Sequence, residues 1–188
     1  LNILAQGIAA VLITQYRNSL ISGTTSRPAP NSEEFTCRAG ALLLSFQLQS
    51  HAGLVNINIT TEKQLSRVFG ALGQPSEEAN KLAANVTAHR AYSGEPKSIK
   101  ERSIRGGPKQ APLESLSELY DIKGMDRIEY RDLRKTFTVL TNSNTIALQA
   151  TPKHLASLSN GSDAMRILEW DNSALLASAV TVSVVVVR

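Results

Sequence analysis

The chain has 188 residues, of which 42% are hydrophobic and 19% charged, enough apolar material to pack a core and to exclude a globally disordered protein. Its formal net charge of +4 permits an anionic partner without requiring one, and its one cysteine, Cys37, excludes an intrachain disulfide. No run of residues reaches the roughly 20 apolar positions of a membrane-spanning helix; the valine-rich run Val180–Val187 falls far short and suits a strand.

In chain order, Leu1, Leu4, Ile8, Val11, Leu12 and Tyr16 recur near one face of a helix predicted over Leu1–Ile21. The chain enters this periodicity with no cap residue, which reads as the middle of a longer helix. The leading reading is an amphipathic helix packed on its own sheet, with a face around Leu1–Ile13 apolar enough to touch neighbouring helices as well. Gly23–Glu34, rich in Ser, Thr and Pro, reads as a loop. Over Ala41–Ser50, Leu44, Phe46 and Leu48 alternate with Ser45, Gln47 and Gln49, the pattern of a half-buried strand. Gly53 turns the chain, and Val55 and Ile57 then alternate with Asn56 and Asn58. Thr60 or Thr61 caps a helix to about Leu72 that buries Leu65, Val68, Phe69 and Leu72. A second helix, capped by Ser76, runs to Arg90 with Leu82, Val86 and His89 along one side.

Ser93–Gln110 holds Lys97, Lys100, Arg102, Arg105 and Lys109 among glycines and prolines, and reads as a mobile surface loop. In Ala111–Met125, Leu113, Leu116, Leu119 and Ile122 recur every third residue until Gly124. This predicts a short helix, a tight glycine turn and a second helix through Arg127–Lys135. Such a corner can present backbone amides to a nucleic-acid phosphate, or it can be purely structural. Thr136–Leu140 and Thr145–Gln149 read as strands joined by T-N-S-N. Thr151-Pro152 starts a short helix to about Leu158, and Ala179–Val187 is the last strand. The order strand, Thr, helix, Leu occurs twice, in V-N-I-N-I-T-T-E-K-Q-L (Val55–Leu65) and I-A-L-Q-A-T-P-K-H-L (Ile146–Leu155), a weak internal repeat.

The residue patterns of catalysis are missing. His51, His89 and His154 are isolated and lack the partner spacing of a zinc site. No nucleophile elbow, phosphate-binding loop or dinucleotide fingerprint occurs. The acids Asp121, Asp126, Glu129 and Asp132 interleave with Lys123, Arg127, Arg131, Arg134 and Lys135, the pattern of a solvated helical surface. The expectation is a non-enzyme with no catalytic and no metal-binding residue.

The order of segments carries a resemblance. Cys37–Asn58 resembles the strand and G-x-V-N-x-N stretch of the minor pseudopilin K family of bacterial type II secretion (general secretion pathway protein K). Thr60–Arg90 is similar to the family's following helical segment, ending in A-x-R. Pro112–Met125 (P-L-E-S-L-S-E-L-Y-D-I-K-G-M) resembles its P-F-x-S-x-x-E-L-x-x-I-x-G-M motif, and Phe137–Leu155 its returning strand segment, with Ala147-Leu148-Gln149 in place of the second N-x-N.

The resemblance implies an α+β pseudopilin fold. Residues 1–58 and 136–188 would form an N-terminal helix packed on a small antiparallel sheet. Residues 59–135 would form a large inserted all-α domain with a helix–hairpin–helix-like corner built of Leu116, Leu119, Ile122, Gly124 and Met125. It implies a subunit at the tip of the type II secretion pseudopilus that initiates or caps the fibre and supports export of folded proteins. The implied partners are minor pseudopilins of the I and J types, contacted through Leu1, Leu4, Ile8, Val11 and Leu12. The implied location is the periplasm, with an inner-membrane anchor preceding the residues present. No small-molecule substrate and no nucleic acid belong to this reading; a helix–hairpin–helix nucleic-acid-binding module is the alternative. The family's acidic calcium stretch reads T-A-H-R-A-Y-S-G-E here. Its only carboxylate is Glu95, against the roughly six to eight oxygens calcium takes, so no cofactor is expected.

Overall fold

The computed structural model describes residues 2–22, 30–39, 42–91, 109–142, 145–156 and 179–187. They fall into two compact units, the first within Leu1–Leu54, Thr145–Pro152 and Trp170–Arg188, the second within Val55–Asn144 and Lys153–Glu169.

In the first unit, α1 (Asn2–Ser22) lies against β5 (Val180–Val187). β5 pairs antiparallel with β2 (Leu42–Ser50), from Leu43 opposite Val187 to Ser50 opposite Val180. β1 (Asn31–Ala39) pairs antiparallel on the other side of β2, giving the order β1-β2-β5. Alternation in β2 follows the pleat. Leu44 and Leu48 are buried, and Phe46 stacks on the directly opposite Phe35 with ring centroids 5.6 Å apart. β1 corrects the expected loop, which ran through Glu34. An edge strand tolerates the charges of Glu33, Glu34 and Arg38, and they hide it from an apolar-alternation reading. Its register slips between Asn31 and Glu34, where Ser32 adopts φ 63 and its hydroxyl donates to Gln49 Oε1 at 2.6 Å.

After β2, His51–Gly53 forms a 3-10 turn capped by the Ser50 side chain. The returning chain crosses it at close range. Ala147 N donates to Ala52 O at 2.8 Å, Gln49 Nε2 donates to Ala150 O at 2.9 Å, and Ala52, Ala147 and Ala150 form a small buried cluster. A Cβ on Gly53 would stand 1.9 Å from Ala150 O, so glycine is required here by proximity. The crossing also corrects Thr145–Gln149 as a strand. Ala147 is extended, but its amide goes to Ala52, and Leu148–Ala150 winds into a 3-10 turn.

In the second unit, a short parallel pair joins β3 (Val55–Asn56) to β4 (Phe137–Thr138), and Ile57 N donates to Thr138 O at 3.0 Å. The units divide after Leu54 and after Asn144, with Lys153–Glu169 also in the second, whereas the expected division fell at 58/59 and 135/136. The β3–β4 pair also replaces the expected strand Thr136–Leu140 by two residues paired in parallel. α2 (Glu62–Ala71) opens with a capping box, in which Thr61 N donates to Gln64 Oε1 at 2.8 Å and the Thr61 side chain accepts from Gln64 N. Leu65, Val68 and Phe69 are buried, while Leu72 is half-buried at the C-cap. Gly73, at φ 85, leads to α3 (Ser76–Arg90). Pro75 rather than Ser76 holds the N-cap, without a side-chain cap bond. Leu82, Val86 and His89 are buried along α3, and Phe69 meets Phe137 with ring centroids 5.5 Å apart.

The corner departs from the expected pair of α-helices. A repeat of three is the 3-10 period, and Leu116–Asp121 is a 3-10 helix. Glu118 Oε1 accepts from Ser115 N at 2.8 Å and Glu114 N at 2.9 Å, while Lys109 Nζ holds Glu118 Oε2 at 2.7 Å. Gly124 turns the chain at φ 90, a conformation that disfavours any Cβ. Met125–Arg127 is a second 3-10 turn, and α4 covers Tyr130–Thr136, so the expected second helix begins later than Arg127. Pro152 precedes α5 (Lys153–Ala156). Most of the expected loop Ser93–Gln110, the segment Ala164–Trp170 and the helix end beyond Ala156 lie outside the described residues.

Candidate functional site

The candidate partner surface is α1. No charged residue occurs from Asn2 to Tyr16, so the helix has no polar face of the usual kind. Leu1 and the side chain of Leu4 lie outside the described residues. Ile8 and Leu12 are half-buried and share a stripe, four residues apart, with the buried Tyr16. Val11 is 54% exposed, and Ile3, which the periodicity did not single out, is 86% exposed. Of the expected face, Ile8, Leu12 and Tyr16 therefore turn inward and Val11 outward, where Ile3, outside that face, is exposed as well. Between Asn2 and Ile13 only Asn2 and Gln6 carry polar side chains, which gives periodicity little to work with, and the division could not be read from the sequence.

The N-x-N stretch is a structural knot in the second unit. Asn58 N donates to Asn56 Oδ1 at 2.8 Å, tightening the turn. The Asn56 amide donates to the Thr141 carbonyl. The Asn58 side chain exchanges two bonds with the Leu113 backbone, Nδ2 to Leu113 O and Leu113 N to Oδ1, each 2.8 Å. Arg90, at the end of α3, donates from its two terminal nitrogens to Ile57 O and Thr60 O, and burial pushes its pKa below the ordinary arginine value. The A-x-R ending was visible in the sequence, but not its role, because its acceptors lie some 30 residues upstream. The internal repeat has a local counterpart here. Thr60 Oγ1 donates to Asn56 O at 2.5 Å and Thr151 Oγ1 to Ala147 O at 3.0 Å, each to the carbonyl four residues back.

At the corner, Leu119, Ile122 and Met125 are buried and Leu116 is half-buried. Met125 N donates to Ile122 O at 3.1 Å, so the amide following Gly124 is bonded within the corner. Arg127 pairs with Glu78 at 2.8 Å, and Arg131 with Glu129 and Asp132 at 3.4 Å each. Among the described residues, no group of three or more His, Cys, Asp or Glu is placed to hold a metal, and no helix is long and apolar enough to cross a membrane.

Two histidines of this unit share one electrostatic state. Burial pushes the His89 pKa down, opposed by Asp121 and Glu118. Burial also lowers that of His154, opposed by Asp132 and assisted by Lys135. Thr136 Oγ1 lies 2.7 Å from Asp132 O, to which it donates, and 3.0 Å from His154 Nε2. As pH falls through the ordinary histidine value of 6.5, the unfolded chain takes up protons that the folded chain refuses. Stability therefore declines below that pH and levels off beneath the lowered folded pKa values. The urea midpoint should drop between pH 7.5 and pH 5, and less steeply in a His89→Gln/His154→Gln variant; a flat profile in the parent chain would contradict this account.

No protein-family model and no curated protein matches the sequence. Among solved structures, the chain is similar to a chain in the crystal structure of the GspK–GspI–GspJ complex from the type 2 secretion system of enterotoxigenic Escherichia coli. The TM-score is 0.52 at 13% identity, covering 93% of this chain and 74% of that one. The fold is thus α+β and pseudopilin-like, with its first helix against a small antiparallel sheet and a second, mainly helical unit within the chain.

Proposed function

We propose that this protein is a non-enzymatic minor pseudopilin of a type II secretion system. It would sit at the tip of the pseudopilus on the periplasmic side of the inner membrane, anchored through residues preceding α1. It would assemble there with minor pseudopilins of the I and J types to initiate or cap the fibre. The observation that carries this reading is the uncharged stretch Asn2–Tyr16 of α1, which keeps Ile3 and Val11 in solvent while Tyr16 is buried. Apolar side chains held out on a helix favour packing against other helices. The pseudopilin-like fold and its likeness to a chain of a three-pseudopilin complex support the same reading.

No cofactor and no nucleic acid enter it. The amide after Gly124 is already bonded, and Asp126 beside it disfavours a phosphate.

The test is co-purification with the I- and J-type minor pseudopilins of the same organism. The chain should be retained by them, and Ile3→Glu/Val11→Glu should weaken capture by at least about tenfold, since burying an unpaired carboxylate opposes association. Circular dichroism should be unchanged. A parent chain that stays monomeric with both partners, or a variant captured as well as the parent, would defeat the proposal.

A further inference from the structure

β5 closes one side of the sheet, and among the described residues no strand lies beyond it. His51 N donates to Ala179 O at 2.8 Å, and in an antiparallel pair successive residues turn their main-chain groups to opposite sides. Thr181, Ser183 and Val185 therefore give theirs to β2, while the amides and carbonyls of Val180, Val182, Val184 and Val186 point away from it. No described group bonds these outward amides and carbonyls. The two edges of the sheet differ. β1 carries Glu33, Glu34 and Arg38, a slipped register and the φ 63 of Ser32, devices that keep another strand away. Val180–Val187 has no charge, no proline and no slip in register. Its inner face is also incompletely covered. Val182 and Val184 are half-buried with α1 against the strand, whereas Leu44 and Leu48 on the same face of β2 are buried.

We propose that the β5 edge is an interface between two copies of this chain, which pair antiparallel about a twofold axis at Ser183. A row of outward amides and carbonyls is matched by an extended strand. Pairing about Ser183 sets Val182 opposite Val184 and Val180 opposite Val186 of the second copy, so every outward group meets its counterpart. The asymmetry of the two edges selects a second copy as the occupant. The charges and slip of β1 oppose pairing of β1 with β5, which would run on from copy to copy as a fibre, and leave β5 with β5, which closes at two. The approach meets no like charge, since Val180–Val187 and the Asn2–Tyr16 stretch of the helix against it are both uncharged. The result is one continuous sheet in the order β1-β2-β5-β5-β2-β1. This inference does not rest on the pseudopilus reading.

The test uses the full 188-residue chain, alone, in size-exclusion chromatography with light scattering over a range of concentrations. The mass should rise to twice the 20.3 kDa of one chain and no further. Ser183→Lys sets like charges opposite each other at the axis and should raise the dissociation constant by at least about tenfold. Ser183 is exposed, so the circular dichroism spectrum should be unchanged, and lost pairing is then not lost folding. In a Cys37→Ser background, Ser183→Cys should cross-link to its own copy under mild oxidation, because directly opposed residues bring their Cα atoms within disulfide reach. Val185→Cys, opposite Thr181 of the second copy, should not. A mass of one chain at every concentration, growth past the dimer, a dimer untouched by Ser183→Lys, or equal cross-linking of Val185→Cys and Ser183→Cys would each overturn the proposal. A chain that is monomeric alone, yet loses capture by the I- and J-type pseudopilins on Ser183→Lys, would overturn it too and give the edge to a partner's strand.

Discussion

Gly53→Ala should destabilise the first unit by on the order of 3 kcal/mol, at the upper end of what overpacking a close-packed site costs. The added Cβ would meet the carbonyl oxygen of Ala150 at 1.9 Å, its carbonyl carbon at 2.2 Å and its Cβ at 2.8 Å. Two of these are main-chain atoms, which no rotamer change can move. Relief would require parting segments joined by the bond from Ala147 N to Ala52 O at 2.8 Å and from Gln49 Nε2 to Ala150 O at 2.9 Å. A typical domain holds only about 5–15 kcal/mol in all, so the variant should unfold at a visibly lower urea midpoint. Gly70→Ala is the control. Gly70 lies within α2, and nothing approaches its added Cβ within 4 Å. That substitution should be neutral or stabilising by up to about 1 kcal/mol. Equal midpoints for Gly53→Ala and the parent would show that the crossing is looser than described.

Arg90→Met should cost about 3 kcal/mol. The guanidinium serves two carbonyls at once, those of Ile57 and Thr60, and both residues are fully buried. Methionine fills similar length but donates nothing, and each buried acceptor left without a donor costs about 1–3 kcal/mol. Arg90→Lys should recover only part of the loss, because one ammonium cannot reproduce a planar fork across two acceptors. Asn58→Ala acts on the same turn by removing both bonds to the Leu113 backbone. The double variant Arg90→Met/Asn58→Ala should therefore lose less than the sum of its parts. Urea unfolding of the four variants measures this. Strict additivity, or a loss below about 0.5 kcal/mol for Arg90→Met, would mean that the turn holds without its arginine.

What the sequence disclosed follows the range of the interactions concerned. α2 was legible, with its cap narrowed to Thr60 or Thr61, because the cap and the Leu65–Val68–Phe69 stripe lie within one short window. β2 and β5 were legible because alternation and valine content are local properties. β1 was not, since an edge strand carrying Glu33, Glu34 and Arg38 lacks the apolar alternation of a buried one. The three-residue spacing at Leu113–Ile122 was seen but assigned to an α-helix, although three is the 3-10 period. The Asn58–Leu113 exchange spans 55 positions and the Gln49–Ala150 bond 101, distances at which a single sequence carries no pairing signal. For the candidate partner surface, the apolar character of α1 was legible. Which residues of it face solvent was not, because that depends on where β5 lies.

The β2–β5 pairing has a consequence for how the chain acquires its structure. His51, just past β2, meets Thr181 of β5 across 130 positions. Closing so long a loop costs about 2 kcal/mol more than closing a ten-residue hairpin, and slows folding accordingly. The β3–β4 pair shortens the path, because once Val55 meets Phe137 most of the intervening chain is already gathered in. Loop-closure entropy therefore favours gathering the helical unit before the sheet is completed. On that order the β2 edge that pairs with β5 would be the last to be covered, and an uncovered strand edge is open to pairing with another copy of the chain.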